Sequence, residues 1–295
     1  MRILTLILIL AAAIPGVADS LYIRLENDLW GDSDRHYTHG TRVHYVDNRE
    51  KFDVVYGFGQ YIYTPSDISV SELQVDDRPY GAWLYGLIAC SRTKGNILDY
   101  LELQAGTTGP HAHGDTVQTA IHEWTDSTMP QGWEHQIKNE IGINLHYYRK
   151  YRTLLYGDQV DYISQTGGSL GNIYTGAYFG GTLRLGYHLP SDFGTGLIEP
   201  GVTKMDTSSR PAWTRSHIFG QLGGRAVFRN IFLDGNTFQD SHSVEREDMV
   251  GEATAGFKLY AWKVSLMMGF TWRSKEFTTQ QEANQFATAV VETYF

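Results

Sequence analysis

Residues 21–28 alternate cleanly, with Leu21, Ile23 and Leu25 on one side and Tyr22, Arg24, Glu26 and Asp28 on the other. A two-residue period of this kind marks a β-strand with one apolar and one polar face. Residues 37–46 repeat the scheme, setting Tyr37, Val43 and Tyr45 against Thr38, Gly40, Arg42 and His44. Ten more stretches follow, at 52–63, 80–89, 97–105, 141–149, 154–164, 173–187, 214–228, 250–260, 262–272 and 286–295. An even set of about a dozen strands, each long enough to cross a bilayer at a tilt, predicts an all-β fold: a transmembrane antiparallel β-barrel. Turns at Lys150-Tyr151 and Ala261-Trp262 would face the periplasm, and loops at 29–36, 64–79, 107–139, 230–246 and 275–285 the exterior. The stretch 189–213 is long for a turn, yet strand parity puts it at the periplasmic end.

One segment departs from the alternation. Between Asp115 and Glu140, Asp115 and Gln118 have the spacing of a helix-capping pair, which predicts a short helix in an extracellular loop. On that helix Gln118 and His122 stand four apart and share a face. The face is a candidate active site; the competing reading makes His122 a partly buried polar residue of a loop helix.

Composition agrees with a barrel. The chain holds 31 Gly, 19 Tyr, 13 Phe and 7 Trp with 19% charged residues, and helical apolar stripes are almost absent outside the segment above. Arg2, an apolar run at 3–14 and Pro15-Gly16-Val17-Ala18 read as a signal peptide over residues 1–18, leaving 19–295 as one outer-membrane barrel domain. The run is too short to span a membrane as a helix. A single cysteine, Cys90, excludes an internal disulfide framework, and the net charge of −9 argues against nucleic acid as a partner.

Candidate chemistry gathers at the outer rim. Asn27 and Asp28 close the first strand, Thr38 opens the second, and Asp32 and Asp34 lie between them, a density of oxygen donors that suits a hard cation such as Ca²⁺. His111 and His113 lack a well-spaced third ligand for zinc and read as exposed loop residues. The segment 167–171 matches G-x-S-x-G, but strand rather than helix follows it, so it reads as a glycine-rich turn and not as a nucleophile elbow.

Several of these residues fall into a joint order: Glu26-Asn27-Asp28-Leu29, Asp34 to Gly40, Asp77-Arg78-Pro79-Tyr80-Gly81-Ala82-Trp83, Val117-Gln118 through His122, Gln131 to Glu140, and Asn230 to Asn236. In this order the chain resembles the LpxR-like outer-membrane lipid A deacylase family. The resemblance implies a barrel of about twelve strands and a Ca²⁺-dependent esterase that removes the 3′-acyloxyacyl group of lipid A in the outer leaflet. By this analogy His122 is the general base, and Asn27, Asp28 and Thr38 surround the cation, with Asn27 and Asp28 as its ligands. Gln118 and Gln136 line the cleft, and Arg78 and Arg42 are candidates for contact with the anionic lipopolysaccharide. A carboxylate shortly after the histidine is also expected. Glu123 turns elsewhere on a helix, whereas Asp126 shares the face of His122 and takes the orienting role if the helix continues so far. Two other readings stay open: an esterase or phospholipase acting on a different acylated lipid, and a small non-enzymatic barrel in which Asp28, Arg42 and His44 are lumen residues. The oligomeric state has no signature in the sequence.

Overall fold

Among the described residues, 20–28, 36–194 and 212–294 of a computed structural model, twelve antiparallel strands run up and down in chain order and close on themselves. They are β1 (Ser20–Asn27), β2 (His36–Asn48), β3 (Asp53–Thr64), β4 (Gly81–Lys94), β5 (Ile97–Thr108), β6 (Ile141–Tyr156), β7 (Val160–Gly171), β8 (Tyr174–Gly186), β9 (His217–Asn230), β10 (Met249–Ala261), β11 (Val264–Arg273) and β12 (Asn284–Tyr294). Closure is made by β1 against β12, from Ser20 opposite Tyr294 to Asn27 opposite Ala287. The expected signal peptide and the rim residues Asp32 and Asp34 lie outside the described residues.

The two-residue period sorts side chains inside and out. On β6, Ile143, Leu145 and Tyr147 face outward and are exposed, while Asn144, His146, Tyr148 and Lys150 are enclosed. The same inversion holds around the wall, with Ile88, Leu101, Leu103, Ile218 and Leu222 exposed on it. An apolar exterior around a polar interior is the arrangement a bilayer selects, because a closed barrel leaves no unpaired strand edge for lipid to meet. Cys90 sits on this outward face.

Charge inside the barrel is paired. Arg42 donates to both oxygens of Glu102, at 2.9 and 2.6 Å, and reaches the hydroxyl of Tyr100 at 3.3 Å. Toward the periplasmic end Arg184 joins Asp161 and Asp192, and Lys150 donates to the Phe193 carbonyl at 3.2 Å. Asp192 and Phe193 belong to the long β8–β9 connection, so its described part folds back under the lumen. A cavity of about 100 Å³ remains toward the outer mouth, between Arg24, Glu26, Trp83, Asn144, Arg225 and Phe232. The lumen is therefore packed with ion pairs, and the pairing is what makes charge tolerable there.

Three local expectations are corrected. The β6–β7 turn does not fall at Lys150-Tyr151: both strands extend beyond it, and the chain reverses after Tyr156 with Gly157 at φ 52. Past Arg152 neither face is enclosed, so nothing selects apolar residues for one side and the period fades while the hairpin continues. The segment 167–171 is the end of β7 and not a turn; Ser169 faces inward and accepts from Asn144 at 2.6 Å. The Asp115–Gln118 capping pair does not form, because His113 occupies the cap position and Asp115 lies within the first turn of α1 (Gly114–Thr125).

Candidate active site on the outer wall

The loop between β5 and β6 folds down over the outside of β3 and β4. Outward-facing Ile62, Ala82 and Leu84 pack with Ala112, Val117 and Trp133 of that loop. Gln60, also outward, donates to the Ala112 carbonyl at 2.6 Å. Helix α1 begins with glycine because a Cβ at Gly114 would lie 2.6 Å from both Ala82 Cβ and the Trp133 ring, closer than real Cβ contacts come. The loop's far end is latched by Glu140, whose carboxylate accepts from Asn172 at 2.8 Å, Asn236 at 3.2 Å and the Thr237 amide at 2.8 Å. Burial pushes the Glu140 carboxyl up, and these donors more than offset it, so the group is held below the usual carboxylate range.

The residues of α1 that turn inward are Gly114, Gln118 and His122, spaced by four and forming one stripe. Gln118 and His122 are each only 2% exposed. The His122 ring is oriented by backbone: its Nδ1 lies 2.5 Å from the Thr128 carbonyl oxygen. A carbonyl only accepts, so Nδ1 carries the proton, and in the neutral ring Nε2 is left as the basic nitrogen. The chain reaches this position because the helix stops at Thr125, Asp126 adopts the left-handed region at φ 57, and the segment after it doubles back. Asp126 is therefore not the orienting carboxylate; it is exposed beyond the helix, where its amide caps the His122 carbonyl.

Beside the stretch of β3 that the loop covers, the outer faces of β1 and β2 carry polar residues where lipid would otherwise select apolar ones. Asn27 Nδ2 donates to the Thr38 carbonyl at 3.1 Å, which turns Asn27 Oδ1 the other way. Thr38 is the extra residue of a β-bulge, the register passing from Tyr37 opposite Tyr63 to His39 opposite Ile62. The bulge re-aims its side chain to meet Thr64 Oγ1 at 2.7 Å. His39 and Thr41, joined at 2.6 Å, continue the stripe along β2. Thr64, Thr128 and Trp133, which bond Thr38, His122 and Gln118, join the candidate site and are residues that strand and helix periodicity did not single out. Thr64 reads as an ordinary strand end, and a backbone acceptor such as that of Thr128 leaves no side-chain signal.

Asp28 follows Asn27 and is fully enclosed. Among the described residues no three His, Cys, Asp or Glu side chains form a cation cage. Asn27 is bonded to the Thr38 backbone and Asp28 follows it in the chain, so a carboxylate, an amide oxygen and a hydroxyl are supplied by this rim, an oxygen-only set whose chemistry fits a hard cation rather than zinc or copper.

The basic residues lie elsewhere. Arg42 is a lumen residue saturated by Glu102, not a substrate contact. Arg78 is fully enclosed at the barrel mouth, donating to Glu276 at 3.2 Å with its guanidinium 4.6 Å from the centre of the Tyr63 ring, so it is not presented to a lipid phosphate. Burial pushes Glu276 up, and Arg273 and Arg78 more than offset it, bringing its carboxyl down to about 2. Gln136 lines a hollow with Trp133, Pro110, Lys138 and Gln239. His111 and His113 are exposed, as expected of loop residues.

A closed barrel with an apolar exterior and a loop helix packed on its outer wall defines a class, that of outer-membrane barrel proteins. The chain belongs to the family described as "Outer membrane protein LpxR", whose sequence profile matches residues 2–295. It is similar in structure to LpxR from Salmonella typhimurium, at 22% identity and a TM-score of 0.80 over 94% of this chain and 100% of that one. It is also similar to the KdgM porin in complex with disordered oligogalacturonate, at 8% identity and a TM-score of 0.44 over 94% of this chain and 99% of that one. The translocator domain of autotransporter NalP from Neisseria meningitidis matches at 8% identity and a TM-score of 0.39, over 100% of this chain and 94% of that one. No curated protein sequence matches the chain. The family and the closed barrel make this a membrane-embedded protein of the bacterial outer membrane.

Proposed function

We propose that the protein is a lipid A 3′-O-deacylase, hydrolysing the ester that joins an acyloxyacyl chain to lipid A in the outer leaflet. The observation that carries the reading is the His122 ring, protonated on Nδ1 against Thr128 and held against the barrel's outer wall, where a lipid ester rather than a soluble substrate would arrive. His122 Nε2 takes a proton from water as the water oxygen attacks the ester carbonyl carbon, and the Thr128 carbonyl steadies the imidazolium that forms. Collapse of the tetrahedral intermediate breaks the bond to the sugar oxygen, which recovers the proton from Nε2. The products are the free acyloxyacyl acid and a lipid A 3′-hydroxyl, so one water is consumed per bond. Ca²⁺ held by Asp28, Asn27 and Thr38 would supply polarisation of the ester carbonyl. Asn27, through its bond to Thr38, holds the β1 and β2 rims together beside Asp28.

The test is mass spectrometry of lipid A from cells expressing the protein or His122→Ala. Loss of one acyloxyacyl mass with the intact protein and none with the variant is expected, a rate effect of about 10²–10⁴ for removal of a general base. Equal loss from both would sink the role of His122. EDTA should stop turnover of the purified protein and Ca²⁺ restore it; turnover indifferent to chelator would remove the cation. A second reading is favoured by one observation, that Arg42 and Arg78 are both enclosed and paired. An esterase acting on a less anionic acylated lipid has no need of them. In that case the phospholipid profile of the same cells would change while lipid A did not.

A further inference from the structure

Trp133 Nε1 lies 2.9 Å from Gln118 Oε1, and both side chains are buried. An indole N–H only donates, so the amide atom facing it must be the oxygen, and the amide cannot be turned over without placing two donors against each other. That fixes the other end. The Gln118 NH₂ group points away from Trp133, enclosed and without a hydrogen-bond partner among the described residues. A buried amide nitrogen left unbonded costs free energy that a fold with acceptors to spare would have recovered. It stands one helical turn from His122 on the same inward stripe, the stripe that lies against the outer wall.

We infer that Gln118 donates an amide N–H to the developing oxyanion of the ester, and that Trp133 is a positioning residue that sets the orientation of that amide. The inference rests on the hydrolase reading above and deepens it. In the ground state the amide N–H has no partner on the inward face of α1; when the ester carbonyl becomes tetrahedral, its oxygen gains charge and the N–H gains a partner. An interaction stronger in the transition state than before it raises kcat and leaves KM nearly unchanged. Without the indole N–H the amide turns over, presenting Oε1 to the oxyanion. The packing supplied by Trp133, which stacks 4.8 Å from Tyr80 and abuts Gly114, is a separate contribution.

The test uses full-length protein in detergent micelles with lipid A and Ca²⁺. His122→Ala is measured first: an inactive variant supports hydrolysis by this histidine, and a fully active one fails that reading without touching the amide. With His122→Ala inactive, Gln118→Ala should lower kcat by about 10²-fold, as for loss of an oxyanion donor. Trp133→Phe should lower kcat about threefold to tenfold, with KM within about twofold, as expected for loss of one orienting hydrogen bond. The double variant should match Gln118→Ala, because Trp133 acts only through the amide. Full activity of either single variant, or a double variant slower than Gln118→Ala by the whole Trp133 factor, overturns the inference. Where Trp133→Phe fails to give a heat-modifiable barrel, benzothienylalanine at 133 replaces the N–H by sulfur with nearly the same shape, and the same kcat loss is expected. A readout independent of turnover is hydrogen exchange of the Trp133 indole N–H. Exchange should be slow in the wild type and fast in Gln118→Ala, and equal rates would overturn the pairing whatever the substrate.

Discussion

The lumen and the polar stripe on the outer faces of β1, β2 and β3 both hold polar groups largely out of solvent, and they differ in what those groups are committed to. In the lumen the charged groups are matched: Arg42 takes both oxygens of Glu102, Arg184 bridges Asp161 and Asp192, and Lys258 meets Glu292 at 2.9 Å. On the outer wall and the inward face of α1 the groups are mostly neutral and lightly committed: Thr38 and Thr64 share one bond, and the Gln118 amide nitrogen has no partner among the described residues. A buried charge signals chemistry only when it is not already paired. Here the dense charge is structural, and the sparse polar stripe together with a tautomer-locked histidine makes the candidate site.

The comparison breaks most readily at Arg42. Arg42→Ala leaves Glu102 charged and enclosed, so stability should fall by about 3–5 kcal/mol while activity per folded molecule stays within about twofold. Thermal unfolding of the detergent-solubilised barrel, read beside turnover, checks both. A large loss of turnover in the molecules that remain folded would make the lumen part of the site.

A smaller effect is expected from pH. Glu276, at the barrel mouth, has its carboxyl brought down to about 2 in the folded protein. Its folded pKa lies below its unfolded one, so the native state binds fewer protons, and its contribution is complete above about pH 5 and lost as pH falls toward 2. The stability involved is about 3 kcal/mol. Glu276→Gln should flatten the dependence of the melting temperature on acid in that window, and an unchanged slope would remove Glu276 as its source.

The smallest effect sharpens the other side. Gly114→Ala places a methyl group where Ala82 and Trp133 already are. Overpacking of this kind costs about 1–3 kcal/mol and would lift the start of α1 from the wall. Turnover should drop severalfold while the barrel still forms, since the overpacked contact lies between loop and wall and the strand ladder is intact. A variant with full turnover would show that the helix need not sit so close.

Much of this architecture was legible in the chain. Strand number and the inside-outside sorting of residues such as Arg24, Glu26 and Arg42 follow from a two-residue period, a property of neighbouring residues that a closed barrel forces on every strand. The pairing of Gln118 with His122 on one helix face is legible for the same reason, at the period of a helix. What the tertiary structure alone decided depends on residues far apart in sequence. Whether Arg78 meets a lipid or Glu276, nearly two hundred residues away, turns on how two loops pack at the mouth. That His122 is oriented by the Thr128 carbonyl rather than by Asp126 turns on where the helix ends, and backbone carbonyls are the same in every sequence. Periodicity records which face a residue is on; only the folded contacts record which polar groups on that face already have partners and which are held ready.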